Sequence, residues 1–400
     1  MRSVVEVDCL IIGGGPTGFT LGIGLLRAGK SVVIAEKHIS ALGFSRAILI
    51  NTDSLRLLSE YEVTPRLLKK GVPLDGLSCF VNEDLVFSAQ FDTNVSNHPI
   101  ILPQEETESC LKECFLELGG SLLLGYSFHA KEHDLTEVES KSPLTVLLRS
   151  SKPEYALPDT FVRCSWLFGC DGVHSSVRKA LDVNYPGTTH PEQQNFVMDV
   201  VVESWPFPTM FTVWFQAADM GLLFRITTTS TSTTTTAAAG NVPIIVRVIG
   251  TTEKECKFLL QKLSVKQVLW DGTFTSSYRL ADSYGRGNVW LAGDAAHVHS
   301  PLGGRGMNMG IADAVALASA VAQDQLSGYE AQRRPVARLW VWANYVLSQL
   351  AMGQGWQARA VRWLAALAVR GLAFLLGPRF AELAFQGMTA SAVKRRKVPA

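Results

Sequence analysis

The chain has 400 residues, 47% of them hydrophobic and 18% charged, enough to bury a large core and too apolar for disorder. Lys and Arg total 37 against 36 Asp and Glu, a net charge of +1 with no basic stripe, which excludes a dedicated nucleic-acid binder. The seven Cys form neither a disulfide framework nor a zinc pattern, and no cleavable signal precedes the first strand, so an intracellular, cytoplasmic globular protein is expected.

Val7 to Ile12 is an apolar run bounded by Gly, Thr17 to Ala28 has helical spacing ending near Gly29, and Ser31 to Ala35 is β-branched. That order is a βαβ unit with parallel strands. Between the first strand and the helix stands Gly13-Gly14-Gly15-Pro16-Thr17-Gly18, a GxGxxG. Gly13, Gly15 and Gly18 permit a tight turn and bring backbone N–H groups to a pyrophosphate at the helix N-terminus. Glu36 ends the second strand, where its carboxylate accepts from ribose hydroxyls and repels a 2′-phosphate, so the ligand there is FAD or NAD. Asn51 to Tyr61 reads as a helix with Thr52 or Asp53 as N-cap. Residues 72–101 are β-like, and Thr107 to Leu118 is an amphipathic helix closed by Gly119-Gly120. Trp166 to Arg178, WLFGCDGVHSSVR, reads as a strand, the Asp171-Gly172 turn, and Ser175-Ser176 capping a short helix.

Residues 186–277 alternate Trp, Phe, Val and Thr, as antiparallel strands do. Residues 227–236 within them are all Ser or Thr and read as a solvated loop. Asn288 to Gly310, NVWLAGDAAHVHSPLGGRGMNMG, is a strand, a polar turn and Gly-rich chain opening a helix from about Met307 to Gln323. Asp294, at the end of a buried strand, suits a ribityl chain, which FAD has and NAD lacks. The helix N-terminus then faces the isoalloxazine, where it stabilises the negative charge of reduced flavin. His297 and His299 have no carboxylate or Cys at ligand spacing, so no metal is expected. From Gln323 onward the chain is helical. Leu339 to Ala358 carries no charge but holds Asn, Ser and Gln, which suits a packed or interfacial helix with at most peripheral membrane contact. The basic tail Lys394-Arg395-Arg396-Lys397 reads as a frayed end.

Together the GxGxxG with its Glu36, the DG motif GCDGVHSSVR and the GD motif GDAAHVHSPLGGRGMN resemble the class A flavoprotein monooxygenases, the family of para-hydroxybenzoate and polyketide aromatic hydroxylases. Ser45-Arg46-Ala47, Leu102-Pro103-Gln104 and Tyr329 to Pro335 extend the resemblance over about residues 5 to 340. It implies an α/β fold: a Rossmann-like FAD-binding domain of glutathione-reductase type over 1–73, 101–185 and 277–335. A mainly antiparallel β-sheet substrate domain over 74–100 and 186–276 is inserted in it, and helices follow over 336–400.

The cofactor set implied is Gly13, Gly15, Gly18, Glu36, Lys37, Arg46, Gln104, Asp171, Asp294, Pro301, Gly304, Gly306, Met307 and Asn308. The resemblance further implies noncovalent FAD and NADPH or NADH as cosubstrate without a second Rossmann domain. Oxygen adds at the flavin C4a, and one atom passes to an electron-rich phenol or polyketide-like molecule. Arg225 is expected to face the flavin ring as the catalytic residue, with Trp214 and Phe224 in pocket or core. Arg305 departs from the Gln or Ala of many relatives and stands either beside the flavin or in solvent; Ala316 replaces Asn. No thioredoxin-like C-terminal domain is expected, which leaves dimerisation open. The rival readings are a redox-silent FAD-binding cyclase or binding module, an epoxidase or Baeyer–Villiger enzyme, and a reductase. A halogenase is not expected, because Trp340-Val341-Trp342 does not continue as the WxWxIP motif.

Overall fold

The computed structural model of the chain describes residues 4–40, 47–93, 98–129, 135–136, 142–216, 219–226, 243–300 and 304–352. Arg46, Pro301, the Ser/Thr tract 227–236 and the basic tail 394–397 lie outside the described residues, as does the end of the uncharged stretch after Met352.

The apolar run Val4–Ile12 becomes the centre of a parallel sheet ordered Gly285–Arg286, Val289–Leu291, Thr160–Gly169, Val4–Ile12, Val32–Glu36 and Ser121–Leu124. Its first pair, Gly285–Arg286 with Val289–Leu291, is antiparallel, and Leu144–Ser150 adds antiparallel beside the first half of Thr160–Gly169. Strands buried on both faces read as continuous hydrophobic runs, as Cys9 to Ile12 and Val32 to Ala35 do. The helix Pro16–Arg27 begins on proline, whose fixed φ suits the first turn. It ends where Gly29 turns left-handed (φ +76°) and Lys30 N–H donates to Leu25 O at 3.0 Å. The helices Gln104–Glu117 and Gly306–Ala322 pack on Pro16–Arg27, and Phe115 closes against Phe19 in the core.

The starts of two helices differ from the sequence reading. The helix Thr52–Ser59 is capped by Asn51, whose side chain accepts from Ser54 N–H at 2.8 Å, so neither Thr52 nor Asp53 is the cap. The second begins at Gln104, three residues before Thr107, with Glu105 and Glu106 in its first turn, where acidic groups favour a helix start.

The second sheet runs His297–Val298, Val265–Leu280, Gly187–Val202, Ile244–Gly250, Asp219–Ile226, Phe211–Gln216, Gly76–Val81 and Asp84–Gln90. Every pairing in it is antiparallel except Phe211–Gln216 with Gly76–Val81. Successive side chains point to opposite faces. Leu222, Phe224, Ile226, Val197, Ile249 and Phe274 form a near face, packed on Leu49, Leu74 and Ile101. Leu223, Val246, Val248, Val200 and Trp214 form the far face, covered by Cys256 and Leu259 of the helix Glu253–Gln261. Leu49–Ile50, Ile100–Ile101 and Val72–Pro73 make a small third sheet, and its Leu49 and Ile101 pack on the near face.

Candidate functional site

The strands of the parallel sheet end level: Ile12 pairs with Ala35 and Gly169, and Gly169 with Leu291. The chain leaves those ends through the Gly13–Gly18 turn, Glu36–Lys37, Cys170–Asp171 and Ala292–Asp294. Ligands of open α/β sheets bind outside such carboxyl ends. Gly13 sits at φ +108°, and a Cβ there would overlap the Cys170 carbonyl, so the DG turn lies directly on the GxGxxG. A Cβ on Gly293 would come within 2.7 Å of Thr17 Oγ1, and Gly310 is also packed against that hydroxyl. Three motifs far apart in sequence thus meet at the start of one helix.

That start is bare. Gly15 caps Pro16–Arg27 without a side-chain hydrogen bond, no acidic residue stands in the first turn, and a Cβ on Gly15 would meet nothing within 4 Å. Unpaired N–H groups and the helix dipole there suit a pyrophosphate. Glu36 Oε2 accepts from Gly14 N–H at 2.7 Å and Oε1 from His38 N–H at 2.9 Å, so the carboxylate also fastens the glycine turn to its strand. Lys37 is exposed, and Gln104 donates to Glu108 Oε1 at 2.7 Å while its own N–H donates to Ala47 O at 3.0 Å. Asp294 is exposed on the short 3-10 turn Gly293–Ala295 beyond the strand Val289–Leu291. The helix Gly306–Ala322 also begins without a side-chain cap or an acidic first turn; a Cβ on Gly306 would meet nothing within 4 Å, and Gly304 adopts φ +61°.

Two members of the set use their side chains structurally. Asn308 donates to Leu49 O at 2.9 Å and Gly304 O at 2.7 Å and accepts from Asn51 N–H at 3.0 Å, which leaves its backbone for a ligand. Asp171 Oδ2 accepts from Ser176 N–H at 2.6 Å, tying the DG turn to the helix Ser176–Ala180, while Oδ1 is buried without a partner. Burial raises the Asp171 carboxyl above the usual range. The bare helix starts, the acidic groups at the strand ends and this orphaned oxygen fit an extended dinucleotide lying across the sheet edge.

Arg225 requires correction. It pairs with Val246 and shares the far face with Leu223, the side covered by the helix Glu253–Gln261, whereas Phe224 faces inward. Alternation along the strand turns the guanidinium away from the face toward Leu49. Trp214 lies on that far face too, stacked on Phe80 at 4.5 Å, while Phe224 stacks on Phe211 at 4.2 Å on the near face. The arginine on the near face is Arg247: its Nε donates to Asp199 Oδ1 at 2.8 Å and its Nη2 to Oδ2 at 2.7 Å, and Trp270 Nε1 donates to the same Oδ2 at 2.8 Å. Arg305 does not point to solvent: it is 6% exposed, its guanidinium lies 3.4 Å from the Trp340 ring centroid, and the Asp53 carboxylate acts on its charge.

The histidines also differ from the sequence reading. His297 does have a carboxylate partner, Asp313, sixteen residues on, whose other oxygen accepts from Arg333 Nε at 2.7 Å. This is a buried ion network; among the described residues no three His, Cys, Asp or Glu side chains gather as metal ligands. His299 is buried, with Nδ1 on Ser300 O at 2.7 Å and Nε2 unpartnered, and burial holds its imidazole down at about 4 against an ordinary 6.5. The native state thus refuses a proton that the unfolded chain takes up below 6.5. Stability should hold above pH 6.5 and fall as pH drops from 6.5 toward 4. Urea titrations should show that fall reduced in His299→Gln; an identical pH slope in both proteins would refute the assignment.

A parallel sheet with bare helix starts at its carboxyl edge and acidic groups at the strand ends defines a dinucleotide-binding protein. Residues 6–342 match the FAD binding domain family, and the chain belongs to that family. It is 30% identical over 375 residues to the 12-dehydrotetracycline 5-monooxygenase/anhydrotetracycline 6-monooxygenase of Streptomyces rimosus, covering 83% of this chain and 67% of that protein. It is 28% identical to the pentachlorophenol 4-monooxygenase of Sphingobium chlorophenolicum, covering 88% of this chain and 66% of that one. The chain therefore spans about two thirds of the length of these relatives, which group it with the FAD-dependent monooxygenases. The crystal structure of p-nitrophenol 4-monooxygenase from Pseudomonas putida superposes with a TM-score of 0.78 at 19% identity, covering 98% of this chain and 100% of that one, a likeness of fold.

Proposed function

We propose that the chain uses FAD, NADPH or NADH, and O₂ to insert one oxygen atom into an electron-rich small molecule, a phenol or polyketide-like metabolite. The observation that carries this is the convergence of the GxGxxG, DG and GD turns at one level sheet edge. When bound, FAD supplies the redox chemistry, accepting hydride and activating oxygen. The chain supplies position. Glu36 accepts from the ribose hydroxyls, and the N–H groups around Gly15 and Gly18 hold the pyrophosphate. Asp294 accepts from the ribityl hydroxyls. Backbone N–H groups of Met307 and Asn308, at the start of Gly306–Ala322, face the ring edge that becomes negative on reduction. Arg46, Gln104, Lys37 and Pro301 belong to the same proposed set.

The substrate lies under the near face of the second sheet, where Phe224 and Phe211 exclude water and Arg247–Asp199 is the buried polar group that can orient an acidic hydroxyl. The division into an FAD domain, an inserted substrate domain and C-terminal helices follows the same reading. No helix among the described residues is long and apolar enough to cross a membrane; a cytoplasmic location is part of the proposal.

Acid precipitation should release one FAD per chain into the supernatant, whereas colour left in the pellet would contradict noncovalent binding. Glu36→Ala should weaken FAD at least about tenfold, since charge-assisted hydrogen bonds of about 1.5–3 kcal/mol are lost. Titration of the apoprotein with FAD measures this, and wild-type affinity would remove Glu36 from the ribose site. A holoprotein that NAD(P)H does not reduce, with any phenol or polyketide present, would favour a redox-silent binding module.

A further inference from the structure

The net charge of +1 hides an asymmetry. Residues 1–330 carry −9 and residues 331–400 carry +10, and between Glu330 and Glu382 there are seven Arg and no Asp or Glu. The helix Leu326–Met352 runs through the first part of that acid-free stretch. One side of it is packed into the protein: Arg333, Ala337, Asn344 and Ser348 are buried, and the Tyr278 hydroxyl donates to Ser348 Oγ. The opposite side is uncovered. Leu339 is 56% exposed, Trp342 62% and Tyr345 36%, and Arg338 stands exposed among them. At 3.6 residues per turn these four side chains fall within about 120° of one another. A solvated helix face normally carries charged and polar groups, so three large apolar ones within about two turns mark a contact surface.

We propose that this face lies on an anionic lipid surface, with Leu339, Trp342 and Tyr345 in the headgroup layer and Arg338 beside the lipid phosphates. Trp and Tyr favour that layer because each joins an apolar ring to a polar N–H or O–H. Arginine suits it as well, since its stem lies along apolar groups while its guanidinium bonds phosphate oxygens in pairs. Residues 353–381 add Arg359, Arg362, Arg370 and Arg379 without an acidic residue. Each cation near such a surface adds attraction. A second copy of the chain fits the face less well, because self-association brings two acid-free, arginine-bearing surfaces together and like charges repel. Nucleic acid would match the arginines but leave the apolar stripe in water. Leu326–Met352 is not apolar enough to cross a membrane and would lie along its surface. The contact does not depend on which compound is oxygenated.

The probes are vesicles of phosphatidylcholine with and without phosphatidylserine. The holoprotein should co-sediment with the phosphatidylserine vesicles at low salt, and added salt should release part of it. Pure phosphatidylcholine should capture it at least about tenfold less well. The double variant Leu339→Gln/Trp342→Gln keeps good helix formers on an exposed face and should lower the partition coefficient at least about tenfold, with FAD content and thermal midpoint unchanged. Brominated phosphatidylserine should quench the tryptophan emission of the wild-type protein, a result independent of any variant. Equal binding to both kinds of vesicle, or unchanged binding by the double variant, would overturn the proposal. A wild-type protein that ignores the vesicles would overturn it too, whether it dimerises through Trp342, binds duplex DNA or covers the stripe with its own residues 353–400.

Discussion

Asp313→Ala is expected to destabilise the protein by about 3–5 kcal/mol, the usual cost of breaking a buried ion pair and stranding its partner. Asp313 is fully buried and accepts from His297, from Arg333 Nε at 2.7 Å and from Gly293 N–H at 3.2 Å. Arg333 is 2% exposed. Those partners hold the Asp313 carboxyl below the usual range despite its burial, and the Arg333 guanidinium above its own. Without the carboxylate, the arginine charge, the imidazole and the amide of the GD turn all lose their acceptor. Asn keeps the shape and one acceptor oxygen, so Asp313→Asn should lose less. Because Gly293 adjoins Asp294, FAD affinity should fall with stability. Urea unfolding measures the first effect; a loss below 1 kcal/mol in Asp313→Ala would show that the network carries little stability.

Gly306→Val should leave the apoprotein folded and impair the flavin site. Apart from its own helix, a Cβ at Gly306 meets nothing within 4 Å among the described residues, so the fold should tolerate the added side chain. It fills the space in front of the uncapped helix, where the reduced ring's negative charge needs close dipoles. The expected result is FAD bound at least about tenfold more weakly, or a potential lowered by about 30 mV for each 1.4 kcal/mol of stabilisation lost. Gly18→Val is the contrast, since a Cβ there overlaps the Gly13 carbonyl and should disrupt the fold itself. A Gly306→Val protein with wild-type FAD affinity and potential would place the flavin elsewhere.

Much of this site is legible in the sequence because its chemistry is backbone chemistry. Glycines at fixed spacing, a carboxylate at a strand end and an Asp-Gly turn report φ angles and close approaches that few other residues allow. The sequence points to Thr52 or Asp53 as the cap of Thr52–Ser59, and only geometry selects Asn51. Arg225 failed for a related reason: a shift of one residue reverses the face of a strand, and only the pairing with Val246 fixes it. The roles of Asp313 and Arg333 were invisible because their partners lie sixteen and twenty residues apart with no periodic signal. Arg305 shows its departure from the family in sequence, but its burial against Trp340 emerges only from helix packing.

Oxygen transfer from O₂ by way of FAD is the reaction proposed for this chain. The direct measurement is turnover of phenolic and polyketide compounds by the holoprotein with NAD(P)H under ¹⁸O₂, followed by mass analysis of the product. One ¹⁸O atom should appear in the product for each substrate converted, with NAD(P)H consumed. A converted substrate carrying no ¹⁸O from dioxygen would contradict it.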